Sequence, residues 1–245
     1  MNTPHSLLDS ILGAFVPVHA DGFKFVAAAA VATLILFALA PPLGWLGAIA
    51  TAYCAYFFRD PSRVTPMRAG LIVSGADGKI TASGAAVPQR ELRLGSEPLT
   101  RVSVFLSVFD VHIVRAPIGG RIVGSTYTPG AFLNAELDKS SEENERHALV
   151  IDAPDGERVG IVLIAGLIAR RIVTFVGEGS SVTRGERIGL IRFGSRVDVY
   201  LSKGAKLCVE AGQTAIGGET VLAEVEPADE VRAARSMLDS SAPEA

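Results

Sequence analysis

Two apolar runs dominate the pattern of the first quarter of the chain, "FVAAAAVATLILFALA" (25–40) and "LGWLGAIATAYCAYFF" (43–58). Each is 16 residues, which as a helix is roughly 24 Å, a little short of the ~20 residues that span a bilayer squarely. Pro41-Pro42 separates them, and that pair cannot continue a helix. The pattern predicts a helical hairpin that enters or tightly crosses a membrane; a hairpin buried in a soluble core would read the same way. Lys24 precedes it and Arg59, Arg63 and Arg68 follow, so the positive-inside rule places both ends on the cytoplasmic face of the cell membrane. A cleaved signal peptide fits less well, because the apolar run starts late and the pair is too long.

From residue 70 the texture changes to short β-rich runs punctuated by glycine turns, such as "LIVSGADGKITASG", "TRVSVFLSVFDVHIV" and "HALVIDAPDGERVGIVLIAG". That rhythm predicts a mainly β (α+β) domain, sandwich or barrel-like. Repeated Val, Gly and strand spacings in "VTRGERIGLI" and "VEAGQTAIGGETVLA" resemble the barrel-sandwich hybrid of lipoyl and biotinyl carriers. The expected organisation is a membrane-associating hairpin at 1–66, a β domain at 67–227 and a polar tail at 228–245. "LDKSSEENER" (137–146) is polar and charged and reads as a surface loop.

One strand-like run carries an anomaly. In "IRFGSRVDVY" (191–200), Ile191, Phe193, Val197 and Val199 alternate as in a half-buried strand, yet Gly194-Ser195 interrupts them. Glycine inside a strand marks a bulge or a close backbone approach. Either the pair is a bulge with a solvated serine, or the serine hydroxyl is aimed at the carbonyl of Gly194.

Composition narrows the remaining choices. Hydrophobic residues make up 49% and mean hydropathy is +0.35, in keeping with a membrane segment. The net charge of −3 points to no nucleic-acid partner. Cys54 and Cys208 differ too much in setting to suggest a disulfide framework, and His5, His19, His112 and His147 show no metal-ligand spacing, so no metal site is expected.

Seven stretches, in order, carry a family resemblance: "FFRDPSRVTP" (57–66), "ADGKI" (76–80), "FLSVFDVHIVRAP" (105–117), "NERH" (144–147), "IAGLIARRIV" (164–173), "GERIGLIRFGSRVDVYL" (185–201) and "GQTAIGGETVLA" (212–223). Together they resemble the short, membrane-anchored prokaryotic phosphatidylserine decarboxylases, over about residues 20 to 225. The resemblance implies a zymogen that cuts itself between Gly194 and Ser195. The products would be a β chain of 1–194 and an α chain of 195–245 headed by a pyruvoyl group made from Ser195. It implies no metal and no pyridoxal phosphate. Phosphatidylserine in the membrane would condense with the pyruvoyl carbonyl as a Schiff base, lose carbon dioxide and leave as phosphatidylethanolamine.

The residues suit that chemistry. Gly194 has no side chain to oppose a strained approach, and cleavage needs a base for the Ser195 hydroxyl and α-proton together with donors for the oxyanion. The resemblance assigns Asp77 and His112 to the base system, a carboxylate holding an imidazole. Taken alone, Asp77 in "ADGK" reads as a turn aspartate and His112 as a structural strand histidine. Three departures from the family pattern stand out. Arg115 replaces a second histidine and, being always protonated, cannot be an ordinary base; His112 then serves both cleavage and turnover, or His147 is the alternate base. Gly75 stands where a proline is usual. Arg196 stands where a threonine is usual, and is a candidate replacement oxyanion donor.

Rival readings are a lipoyl- or biotinyl-like carrier modified at Lys139, a non-catalytic membrane-anchored β protein, and a pyruvoyl decarboxylase of a soluble amino acid, which would need no anchor. The oligomeric state, a homo-oligomer included, is left open by the sequence.

Overall fold

The computed structural model describes residues 16–131, 143–166, 171–192 and 195–225. The chain divides into two compact units, 1–62 and 63–245. The Lys139 segment, the polar tail, and Phe193 and Gly194 lie outside the described residues.

The first unit is the helical hairpin, α1 (Ala20–Leu39) and α2 (Pro41–Phe57). Its turn is a single residue. Ala40 is extended at φ −161°, ψ 127°, the conformation that a following proline imposes, and Pro41 then opens α2 at its first position. The helices pack through small residues: a Cβ on Gly44 would lie 2.1 Å from the Phe37 ring and one on Gly47 2.8 Å from Thr33 Oγ1. Outward-facing Leu34, Ile35, Leu39, Trp45, Leu46 and Ile49 are all exposed. α1 is long and apolar enough to cross a membrane.

The second unit is mainly β, as the strand-and-turn rhythm predicts. Its strands are β1 (Leu71–Val73), β2 (Gly78–Ala86), β3 (Leu99–Leu106), β4 (Ile113–Arg115), β5 (Gly120–Thr128), β6 (Arg146–Asp152), β7 (Arg158–Ala165), β8 (Arg171–Thr174), β9 (Ser181–Val182), β10 (Arg187–Arg192), β11 (Ser195–Tyr200), β12 (Lys206–Leu207), β13 (Thr214–Ala215) and β14 (Val221–Glu224). They form an eight-stranded sheet in the order β13-β2-β3-β11-β7-β6-β5-β9, and two three-stranded sheets, β4-β10-β8 and β1-β14-β12.

Both faces of the large sheet are covered at its centre. Val104, Leu163, Val197 and Val199 point into the main core with Val114, Ile188 and Leu222 of the smaller sheets. The alternate positions, Val162, Ile164 and Tyr200, meet Leu92 and Leu99 in a second cluster. Burying each such aliphatic side chain contributes about 1.5–3 kcal/mol. This is why β11 is buried at every position rather than half-buried, as its alternation predicts.

Two further expectations need correction. "IRFGSRVDVY" is not one strand with a bulge: β10 ends at Arg192 in a small sheet and β11 begins at Ser195 in the large one. The charged run 137–146 does not end on the surface either, because Asn144 is fully buried and Glu145 nearly so. Their side chains are needed inside, as described below.

Gly78 opens β2 at φ +146°, and a Cβ there would lie 2.0 Å from the Phe105 carbonyl oxygen. Gly78→Ala is therefore expected to cost about 3 kcal/mol, lowering Tm by roughly 6–12 °C in thermal unfolding. A Tm within about 2 °C of the parent would show that β2 and β3 do not need this approach.

Candidate active site

Three neighbouring strands of the large sheet, β3-β11-β7, hand over to the three strands of one small sheet in the same order, β4-β10-β8. Ser195 begins β11 and is flanked in register by Leu106, the last residue of β3, and Ala165, the last residue of β7. On the other side of the crossing Arg192 pairs with Arg171, and Leu190 with Ile113. Ser195 therefore sits at the seam where the chain passes between sheets.

Ser195 is 0% exposed. It alternates with Val197 and Val199, so it faces the main core. Its Oγ has no hydrogen-bond partner among the described residues. An unsatisfied buried hydroxyl costs about 1–3 kcal/mol, and such a group in a native fold requires a reason. The residue before it, Gly194, carries the bond that the sequence singles out.

His112 stands on the same seam, in the link from β3 to β4, and is 0% exposed. Its carbonyl accepts the Ile191 N–H at 3.2 Å, which ties it to the strand leading into Ser195. Its ring Nδ1 lies 2.9 Å from the carbonyl oxygen of Asp110. A carbonyl can only accept, so Nδ1 carries the hydrogen and Nε2 is the basic nitrogen of the neutral ring. The Asp110 carbonyl is held in turn by a closed turn. Asp110 Oδ2 accepts from Ser107 N at 2.8 Å and Ser107 Oγ at 2.7 Å, and Asp110 N–H donates to Ser107 O at 3.0 Å.

Asp77 lies between β1 and β2, at the same end of the large sheet. Its Oδ1 is 2.5 Å from Arg63 Nη2, and its Oδ2 accepts the Gly217 N–H at 3.2 Å. Burial pushes its carboxyl above the usual range; Arg63 and the Gly217 N–H oppose the rise, and the nearby Asp110 charge adds to it. A buried carboxylate with a raised pKa facing an arginine is a pattern of functional sites. Arg63, read from sequence as a cation near the membrane surface, is thus the counter-ion of Asp77, and Arg68 pairs with Glu224.

The β7-to-β8 crossing is clamped by residues the sequence reading placed on the surface. Asn144 Nδ2 donates to Ala165 O at 2.7 Å, Ala165 N–H donates to Glu145 O at 2.9 Å, and Glu145 Oε1 accepts the Ile172 N–H at 3.3 Å. Asn144 and Glu145 so fix the strand beside Ser195. The signal for them was a polar pair, "NE", immediately before a hydrophobic strand.

The other candidates are placed as follows. Arg115 is buried and donates to the Gly185 carbonyl at 2.9 Å. Arg196 points away from the Ser195 side, as its adjacent strand position requires, and is paired with buried Asp198 at 2.9 Å; it is a second-face ion pair rather than an oxyanion donor. His147, on β6, is partnered through Nε2 with Ser125 Oγ at 2.9 Å. The register sets it opposite Leu163, which is opposite Val197, so it lies two strands and two residues from Ser195, about 12 Å at ordinary strand spacings. Among the described residues no group of three or more His, Cys, Asp and Glu side chains is placed to share a metal ion.

Burial pulls the His147 imidazole below its ordinary value. A histidine depressed on folding contributes stability above its unfolded pKa, near 6.5, and loses it as pH falls through the folded value. His147→Gln removes the titrating group. Its Tm is expected to fall less than the parent's between about pH 7 and pH 5; equal losses would show that His147 does not contribute.

Comparison with known proteins identifies the family. The phosphatidylserine decarboxylase family model matches residues 50–223. The phosphatidylserine decarboxylase proenzyme of Nitrobacter winogradskyi is 54% identical over 220 residues, covering 90% of this chain and 89% of that protein. The match takes in Asp77, His112 and Ser195 alike, and on its extent the chain belongs to the phosphatidylserine decarboxylase family.

Proposed function

We propose that this chain is a self-cleaving proenzyme that turns phosphatidylserine into phosphatidylethanolamine and carbon dioxide, using a pyruvoyl group made from Ser195. The observation that carries the reading is the Ser195 hydroxyl, fully buried and without a hydrogen-bond partner among the described residues, at the seam it shares with His112.

His112, with its hydrogen on Nδ1, offers Nε2 as the base that takes the Ser195 hydroxyl proton. The Ser195 oxygen then attacks the Gly194 carbonyl, and the peptide C–N bond breaks as an ester C–O bond forms. Loss of the Ser195 α-proton expels the Gly194 carboxylate, and the dehydroalanine left behind takes up water and releases ammonia to give the pyruvoyl group. Asp77, charged and held by Arg63, stabilises the positive charge that His112 gains. The pyruvoyl group fits here because its parent hydroxyl already occupies a buried position with no competing partner. When present, it supplies an electron sink for decarboxylation. The chain's own residues contribute the apolar wall around Ser195, which keeps water out, and an imidazole able to return a proton to the product. His112 serves both stages, and the register favours it over His147.

After cleavage the two products stay together. The α chain supplies β11, hydrogen-bonded between β3 and β7, and β14, hydrogen-bonded between β1 and β12. It cannot leave without opening two sheets. The apolar hairpin holds the enzyme at the cytoplasmic membrane surface, where a two-tailed substrate resides.

Ser195→Ala is expected to give one uncut chain of 25.7 kDa with no carbonyl at a new terminus and no decarboxylation; two fragments from this variant would remove Ser195 from its role. Arg63→Met leaves the Asp77 carboxylate without its counter-ion. Its pKa then rises further, so the acid limb of the pH profile of processing should move upward, each pH unit of that movement slowing the rate on the limb about tenfold. Arg63→Lys should restore much of that rate. An unshifted profile in Arg63→Met would show that the Asp77 charge is not used.

A further inference from the structure

We infer that the hairpin is re-entrant: its tip stops inside the hydrocarbon core of the bilayer and does not emerge on the far side. This rests on the membrane reading above and adds a depth to it.

The tip is built without groups that need water. Residues 25–58 contain no Asp, Glu, Lys, Arg or His, and between Thr33 and Thr51 the sole polar side-chain atom is the indole nitrogen of Trp45. A loop that reached the far surface would ordinarily carry polar turn residues. The backbone is adapted in the same sense. Irregular backbone is excluded from hydrocarbon because its N–H groups go unpaired, and a helix N-terminus normally exposes several such donors. Here the Ala40 N–H is bonded to Leu36 O at 2.9 Å and the Gly44 N–H to Ala40 O at 3.1 Å. Pro41 and Pro42 have no N–H to place. That leaves Leu43 as the turn's one remaining donor, while the last carbonyls of α1 are acceptors, the more readily tolerated kind.

The few hydroxyls deeper in the hairpin are satisfied internally. Thr33 Oγ1 donates to Ala29 O at 2.8 Å and lies 2.9 Å from Thr51 Oγ1, so Thr51 is the donor of that pair and the helices are clasped across the hairpin. The polar groups gather at the opposite end. Val18 and Arg59 form a β-bridge, the Asp60 N–H donates to Pro17 O at 2.8 Å, and Arg59 lies 3.8 Å from the Tyr56 ring centroid.

Length agrees with this picture. α1 has 20 residues, but its first turns carry Asp21 and Lys24; from the Lys24 level to Ala40 it rises about 24 Å, against about 30 Å of hydrocarbon. Trp45 and Phe37, whose rings are 5.6 Å apart, then lie roughly 17–20 Å from the near edge, close to the bilayer centre.

Trp45 is the single tryptophan of the chain, so its fluorescence reports depth without mutation. The full-length protein is reconstituted into phosphatidylcholine–phosphatidylglycerol vesicles carrying lipids brominated either near the glycerol or near the acyl methyl ends, and vesicle flotation is read in parallel. Deep bromines are expected to quench Trp45 several-fold more than shallow ones. Flotation with stronger shallow quenching would overturn the re-entrant tip while leaving membrane attachment intact; failure to float would overturn both. Leu43→Lys adds a second readout. It should reduce vesicle partitioning at least tenfold, whereas unchanged partitioning would show that the tip already sits in water.

Discussion

The structure depends on one crossing. Three strands that are neighbours in the large sheet continue as three neighbours in a small sheet, and at the middle crossing β10 ends at Arg192 and β11 begins at Ser195. Strands β3 and β7 bracket Ser195 in register; the link after β3 carries His112, and Asn144 and Glu145, just before β6, bond to Ala165 at the end of β7. A backbone hydrogen-bond ladder fixes all of these positions together. It places a hydroxyl in the core where no partner among the described residues engages it, at a cost in stability that the rest of the fold must offset.

The charges around the seam follow the same logic. Burial raises the pKa of the Asp77 carboxyl, and Arg63 and a single N–H oppose the rise. His112 takes its orientation from a backbone carbonyl, which fixes its tautomer without adding a second negative charge beside the ring. The Ser107–Asp110 turn makes that carbonyl rigid. Arg115 and Arg196, two of the three residues that set this sequence apart from the pattern it resembles, are both engaged, with the Gly185 carbonyl and with Asp198. His112 is at the seam.

Much of this was legible in the sequence, and what was not has identifiable physical causes. The hairpin was visible because prolines and unbroken apolar runs act locally; Ala40 is extended because Pro41 follows it. The β character was visible in turns such as "APDG", where Gly156 has φ +91°. Ser195, His112 and Asp77 came from motif resemblance, since a serine, a histidine and a turn aspartate carry little meaning singly. The end of β10 and start of β11 were not legible, because the same alternation resumes after Gly194-Ser195, across a change of sheet. Asn144 and Glu145 read as solvated because their partners, Ala165 and Ile172, are distant in sequence. The sequence showed Arg63 only as one of the cations after the hairpin; its pairing with Asp77 is made by the fold.

The central claim is that the Ser195 hydroxyl breaks the bond before it. Intact-mass spectrometry of the purified wild-type protein tests this directly. The account predicts two polypeptides, one ending at Gly194 and one beginning at position 195 with a blocked, carbonyl-bearing terminus that reacts with a hydrazide. A single unbroken chain with full decarboxylase activity and an unmodified serine at 195 would contradict it.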